Sequence, residues 1–136
     1  MSIPETFEPA LRGRTLAPPG SGIVLAEWEA EGAADGERLE QAPLHRHGED
    51  EAWYVLEGVL GVRIGDEEVE VPAGGAAIVP GGTAHTYWNP RPEPARYLLV
   101  MGPKTNALIN AIHAAADRGP DAMRRLFEEH DAELLA

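Results

Sequence analysis

Between Trp53 and Met101 every apolar run is cut short by glycine or proline. Trp53 to Leu56 stops at Glu57-Gly58. Val59 to Ile64 alternates, with Leu60, Val62 and Ile64 on one face, and stops at Gly65-Asp66, a hairpin signal. Glu67 to Val71 follows with Val69 and Val71 together, then the turn Pro72-Ala73-Gly74-Gly75. Ala76 to Val79 reads as a small buried strand closed by Pro80-Gly81-Gly82, and His85 to Trp88 comes next. Asn89-Pro90-Arg91-Pro92-Glu93-Pro94 cannot be a central strand, because proline donates nothing to a ladder. Ala95 to Met101 is the last strong strand. Many short strands punctuated in this way predict an all-β sandwich or barrel.

The flanks read differently. Residues 1–22 hold Pro4, Pro9, Pro18 and Pro19 and form an arm, with one short extended piece around Phe7 to Leu11. Ile23 to Ala30 reads as a strand, Ala33 to Glu37 as a turn or loop, and Arg38 to Leu44 as the stretch leading toward the histidines that follow. Beyond the barrel, Thr105 or Asn106 suits the cap of a helix running to Arg118, with Leu108, Ile109, Ile112, Ala115 and Ala116 as its stripe. Gly119-Pro120 ends it. A second helix starts near Asp121 with Met123, Leu126 and Phe127 inward, and Leu134 and Leu135 lie beyond a break. The division is an arm over 1–22, a barrel over 23–102 and a helical hairpin over 103–136, packed on the barrel or on a dimer.

The chemistry is concentrated in His45-Arg46-His47-Gly48-Glu49-Asp50-Glu51, answered downstream by His85. Residues i and i+2 of a strand share a face, so His45 and His47 project together. Glu51 and Trp53 share their parity, with Gly48 free to relax the strand between. The chain has no cysteine, which leaves a metal only imidazole and carboxylate donors. Glu49 and Asp50 are alternatives to Glu51, or a solvated acidic loop. Arg46 points away from its neighbours and suits an ion pair. Tyr87 has the parity of His85, so Tyr87 and Trp53 line a pocket or pack in the core. Trp28, Tyr54 and Trp88 suit sheet or subunit contacts. His113 and His130 read as helix-surface residues, Asn89 as a turn residue and Met101 as core.

Charge narrows the partners. A net charge of −12 from 11 basic and 23 acidic residues disfavours nucleic acid and anionic membranes. No apolar run approaches the roughly 18 residues of a membrane span. No basic-then-apolar leader is visible, so the expected location is cytoplasmic. Arg63 and Arg96 are the only basic residues in well-defined strands, a poor lining for a phosphosugar pocket.

These residues resemble the cupin superfamily. His45, His47, Glu51 and Gly58 match the spacing of its first motif, and Gly74, Pro80, Gly82, His85 and Asn89 that of its second. One departure is Leu39, where the family has a glycine. The resemblance covers Leu39 to Met101 and implies a double-stranded β-helix, or jelly-roll, barrel with the helices as a C-terminal extension. It implies one divalent transition metal (Mn, Fe, Co, Ni, Cu or Zn) on His45, His47, Glu51 and His85, with about two positions left open on a six-coordinate ion. The implied activity is that of a small quercetinase-like oxygenase acting on an enol or aromatic molecule, with Glu51 also accepting a proton. The alternatives are a metal-dependent isomerase, cyclase or decarboxylase, or a non-catalytic small-molecule-binding module. The family also implies a homodimer.

Overall fold

The computed structural model describes residues 5–33 and 37–135. The expected turn at 33–37 therefore lies mostly outside the described residues. Two five-stranded antiparallel sheets enclose the core. The first has the order β1 (Thr15–Leu16), β2 (Val24–Ala30), β9 (Ala95–Met101), β4 (Glu51–Glu57), β7 (Ala76–Val79). The second has β10 (Ala132–Leu134), β3 (His45–His47), β8 (His85–Trp88), β5 (Val59–Ile64), β6 (Glu67–Pro72). Apart from β1–β2 and β5–β6, neighbouring strands lie far apart in sequence, which is the pattern of a jelly-roll barrel.

Alternation decides which side chains enter. In β9, Ala95, Tyr97, Leu99 and Met101 are buried, and in β5 Leu60 and Val62 are buried as the spacing predicts. They meet Val24, Ala26, Trp53, Val55, Val71, Val79 and Tyr87 from the other strands. The hairpin at Gly65-Asp66 joins β5 to β6, with Val62 opposite Val69 and Leu60 opposite Val71. Gly58 and Gly74 turn with φ of +79° and +88°, a region closed to most side chains. Gly61 serves another purpose: a Cβ there would lie 2.2 Å from the Trp88 ring. The missing side chain lets Trp88 lie flat against β5, with the Arg38 guanidinium 3.8 Å above it. Trp88 is thus buried within one subunit's own fold.

Several expectations are corrected. Phe7 to Leu11 forms no strand; the extended piece of the arm is Thr15–Leu16. Ala76–Val79 is an edge strand rather than a buried one, with Ile78 65% exposed, because among the described residues no strand pairs beyond it. The first helix, α1, runs Pro103–Ala114, two residues before the expected cap and short of Arg118. Its N-cap is Gly102, since Pro103 suits the first helical position and Thr105 is drawn into another contact. The second helix, α2, spans Pro120–Glu129. Asp131, with φ +56°, then reverses the chain, and Ala132–Leu134 becomes a strand instead of a helical end. It pairs with β3, Ala132 opposite His47 and Leu134 opposite His45.

Candidate metal centre

Three imidazoles come from one sheet and a carboxylate from the other. β3 carries His45 and His47 on its inner face, and antiparallel pairing sets His45 directly opposite His85 of β8. The main chain of His47 is fastened to the turn before β8, the Gly82 N–H donating to its carbonyl at 2.7 Å. The strand then breaks at Gly48-Glu49-Asp50 and resumes as β4 in the facing sheet, led by Glu51. His45, His47, Glu51 and His85 are all buried.

Each ring has its orientation settled by a main-chain oxygen. The Nδ1 atoms of His45, His47 and His85 lie 2.7, 2.9 and 2.9 Å from the carbonyls of Pro43, Glu49 and Thr83. A carbonyl can only accept, so each Nδ1 carries a proton and turns its Nε2 inward. Nε2 of His45 and of His85 keep their lone pairs, while Nε2 of His47 donates to the Glu51 carboxylate and would give up that proton to a metal. One nitrogen from each of the three rings lies within 4.8 Å of the others. His85 Nε2 is buried without a hydrogen-bond partner among the described residues. An orphaned, buried nitrogen is costly unless something fills the space before it. A divalent ion satisfies that condition, and the trio could hold one.

Glu51 stands against this trio. Its Oε1 is 3.0 Å from His47 Nε2 and 3.8 Å from His85 Nε2. Burial pushes the Glu51 carboxyl up, but the His47 hydrogen bond and the adjoining imidazoles outweigh it and bring it down to about 2. Burial pushes His47 down, and its hydrogen bond to Glu51 with the carboxylate's charge reverses the sign, leaving His47 raised. His45 lacks that partner. Burial, then the neighbouring His85, lowers it to about 4. The carboxylate and neutral His45 are both in the form a metal needs.

A cupin-domain family model matches residues 37–101. The chain belongs to the cupin superfamily. No curated protein matches this cupin. Among solved structures it is similar to TT1209 from Thermus thermophilus, with 31% identity, a TM-score of 0.52, and 60% of this chain and 73% of that one covered. A candidate sugar phosphate isomerase from Acidithiobacillus ferrooxidans has 21% identity and a TM-score of 0.52, with 60% of this cupin and 51% of that chain covered. A variant of salicylate 1,2-dioxygenase from Pseudoaminobacter salicylatoxidans has 18% identity and a TM-score of 0.53, covering 65% of this chain and 25% of that one. The last two likenesses concern the fold alone.

Beside the histidines this cupin holds a cavity of about 490 Å³. His45, Glu51, Tyr87, Tyr97 and Leu99 form its barrel wall, and Leu108, Ile109, Ile112 and Phe127 of the helices its roof. Tyr87 is on that wall, whereas Trp53 is fully buried behind it in the barrel core. The Tyr87 and Tyr97 hydroxyls are 2.8 Å apart. Burial raises both phenols, Tyr97 to about 12, so the pair stays neutral. Tyr97 carries no motif that marks it in the sequence, and only its parity with Leu99 and Met101 points it inward.

The other candidates are elsewhere. Glu49 and Asp50 face away from the histidine nitrogens and bind main-chain N–H groups of Thr105 and Gly81. Arg46 pairs with Glu133 on the surface. His113 is exposed but reaches the cavity rim, and His130 accepts its place at the end of α2 with Nδ1 2.8 Å from the Leu126 carbonyl. Asn89 is buried, donating to Ala30 and Glu93 carbonyls and accepting from the Arg91 N–H, which pins the proline loop. Among the described residues no helix is long and apolar enough to cross a membrane.

Proposed function

We propose that this cupin binds one divalent transition metal through Nε2 of His45, His47 and His85, with Glu51 as a further ligand, and acts as a small metal-dependent oxygenase on an enol or aromatic molecule. The observation that carries the reading is the set of three Nδ1–H···O=C bonds, which leave one nitrogen of each ring free to converge with the others beside the Glu51 carboxylate. When bound, the ion would supply Lewis acidity and a place for substrate and dioxygen to meet. The chain's own residues do the rest. Glu51, held as a carboxylate, can accept a proton from a hydroxyl brought beside His47. Leu99, Leu108, Ile109 and Phe127 exclude water from a flat apolar body. Among the described residues no lysine or arginine lines that cavity, so it suits an uncharged molecule over a phosphorylated one.

The neutral Tyr87–Tyr97 pair favours a second reading. A phenol with a free proton can donate to a substrate carbonyl, which serves an isomerase or cyclase needing no oxygen. Oxygen-electrode screening of metal-loaded protein with enol and flavonol substrates separates the two. Metal-dependent uptake supports the oxygenase, and product formation under argon supports the second. His47→Ala should cut metal content at least tenfold, as measured by elemental analysis after stripping and reloading. His113→Ala should leave it unchanged; equal occupancy in both variants would remove the assignment. For the homodimer, we propose the outer face of the first sheet, where Tyr54 and Ile78 are exposed. Sedimentation at the monomer mass at micromolar concentration would count against it.

A further inference from the structure

Gly48-Glu49-Asp50 connects β3 to β4, two of the three strands that bear the metal-site residues, and the Glu49 side chain touches none of those residues. Every polar side-chain atom of Glu49 is nevertheless engaged. Its Oε1 accepts from the Thr105 N–H at 2.7 Å and the Thr105 hydroxyl at 2.8 Å, and Oε2 accepts from the Lys104 N–H at 3.3 Å. Its main-chain oxygen accepts the Nδ1–H of His47 at 2.9 Å. One residue therefore holds the first turn of α1 with its side chain and a metal-site imidazole with its backbone.

The helix depends on this loan. Its N-cap, Gly102, offers no side chain, and no side-chain cap bond comes from within the helix. The carboxylate replaces the cap from the loop before β4, and its charge suits the positive end of the helix. The approach is so close that a Cβ at Gly102 would lie 2.2 Å from the Glu49 carboxylate. On its other flank the loop is pinned as well, Asp50 Oδ1 accepting the Gly81 N–H at 2.7 Å in the turn that leads to His85.

We propose that Glu49 is a positioning residue coupling the docking of the C-terminal tail to the orientation of His47. The proposal rests on the reading of His45, His47 and His85 as metal ligands. With its side chain released, the Glu49–Asp50 peptide is held only from the Asp50 side, and its carbonyl can turn away from His47, which then loses the acceptor that keeps Nε2 facing the trio. In the other direction, an ion on Nε2 makes the Nδ1–H a stronger donor, tightening the loop and with it the seat of α1. By linkage the two effects are equal in size.

The test uses chelator-stripped full-length protein titrated with Co²⁺, following its visible spectrum, with amide hydrogen exchange read at Thr105 and Asn106. Glu49→Ala should weaken Co²⁺ binding by about tenfold to a hundredfold and change the spectrum. Glu49→Gln, which keeps a carbonyl acceptor for Thr105, should recover most of both. Thr105→Val, which loses only the hydroxyl, should fall between them. Co²⁺ should slow exchange at Thr105 in the wild type and not in Glu49→Ala. If Glu49→Ala speeds tail exchange but binds Co²⁺ with wild-type affinity and spectrum, Glu49 is only a helix cap and the coupling is wrong. If tail exchange is unchanged, the contact itself holds nothing and the proposal also fails. A wild type that ignores Co²⁺, or matches His47→Ala, would instead remove the metal reading beneath it.

Discussion

Inside the barrel, Val24, Trp53, Val55, Leu60, Val62, Val79, Tyr97 and Leu99 interlock from five strands into one core, whereas the tail's own core is Leu108, Phe127 and Ala132 with Ile112 and Leu134 at its margin. The tail compensates with polar fastenings. These are Glu49 on α1, three residue pairs between β10 and β3, and surface ion pairs Arg46–Glu133 and Lys104–Asp131. Regions with little buried apolar area open at lower free energy than the core they rest on. The cavity lies at the seam between the two. Its histidine wall belongs to the stiffer part and its roof, Leu108 and Phe127, to the looser one. A site so divided can keep metal donors still while its roof yields to admit a ligand.

The most disruptive way to probe this contrast is Trp53→Ala, which empties a fully buried position in the barrel. It should cost about 3–5 kcal/mol, spread over the whole molecule, as a lowered denaturant midpoint. Phe127→Ala also removes a fully buried ring, yet its expected loss in global stability is less than half as large. The damage should be local: exchange protection in α1, α2 and β10 collapses while β4 and β9 keep theirs. Equal loss of protection in β4 and β9 would show that barrel and tail unfold as one unit, and the contrast would be gone.

The same division separates what could be read in the sequence from what could not. Strand alternation and glycine–proline turns are local signals, so β4, β5, β6, β8 and β9 and the inward parity of His45, His47, Glu51 and His85 were legible. Ala132-Glu133-Leu134 has the composition of a helix end. It is a strand only because β3 presents a free edge to it, a fact made by the folded barrel. Thr105 obeys the local rule for a helix cap, but a carboxylate 56 positions earlier in the chain claims it. Ile78 looks like core in a one-dimensional pattern and is exposed because β7 ends its sheet. Local rules failed wherever the partner came from the opposite side of the molecule.

A smaller effect is expected from pH in metal-stripped protein. His45 is held at about 4 against 6.5 when unfolded. Between those values the unfolded chain binds a proton that the folded one refuses, so stability drops as pH falls through the window. Glu51, lowered from 4.5 to about 2, adds stability present above 4.5 and lost on further acidification. His47, raised above 6.5, works in the opposite sense: its contribution is complete below 6.5 and disappears as pH rises through the folded value. The melting temperature should therefore peak near pH 6.5. The tail has a share in this, because the Phe127 ring lies edge-on to His45 with centroids 5.5 Å apart. Phe127→Ala should admit water and move the His45 titration, followed by proton NMR of its ring, upward from about 4 toward 6.5. A titration unmoved by the substitution would mean that the barrel alone keeps His45 dry.

The least effect is expected at Arg46, and its smallness is informative. Arg46 and Glu133 meet at 2.9 Å between β3 and β10, with side chains 48% and 54% exposed. Exposed pairs gain little, because water and salt screen the attraction and two long side chains lose freedom. Arg46→Ala should change stability by no more than about 0.5 kcal/mol and leave tail exchange as it was. If the tail is instead fastened by charge, the same substitution would free β10, and raising the salt concentration would imitate it in the wild type. Strand pairing and the Phe127 contact require neither outcome, since the β10–β3 hydrogen bonds and the buried ring are indifferent to ionic strength.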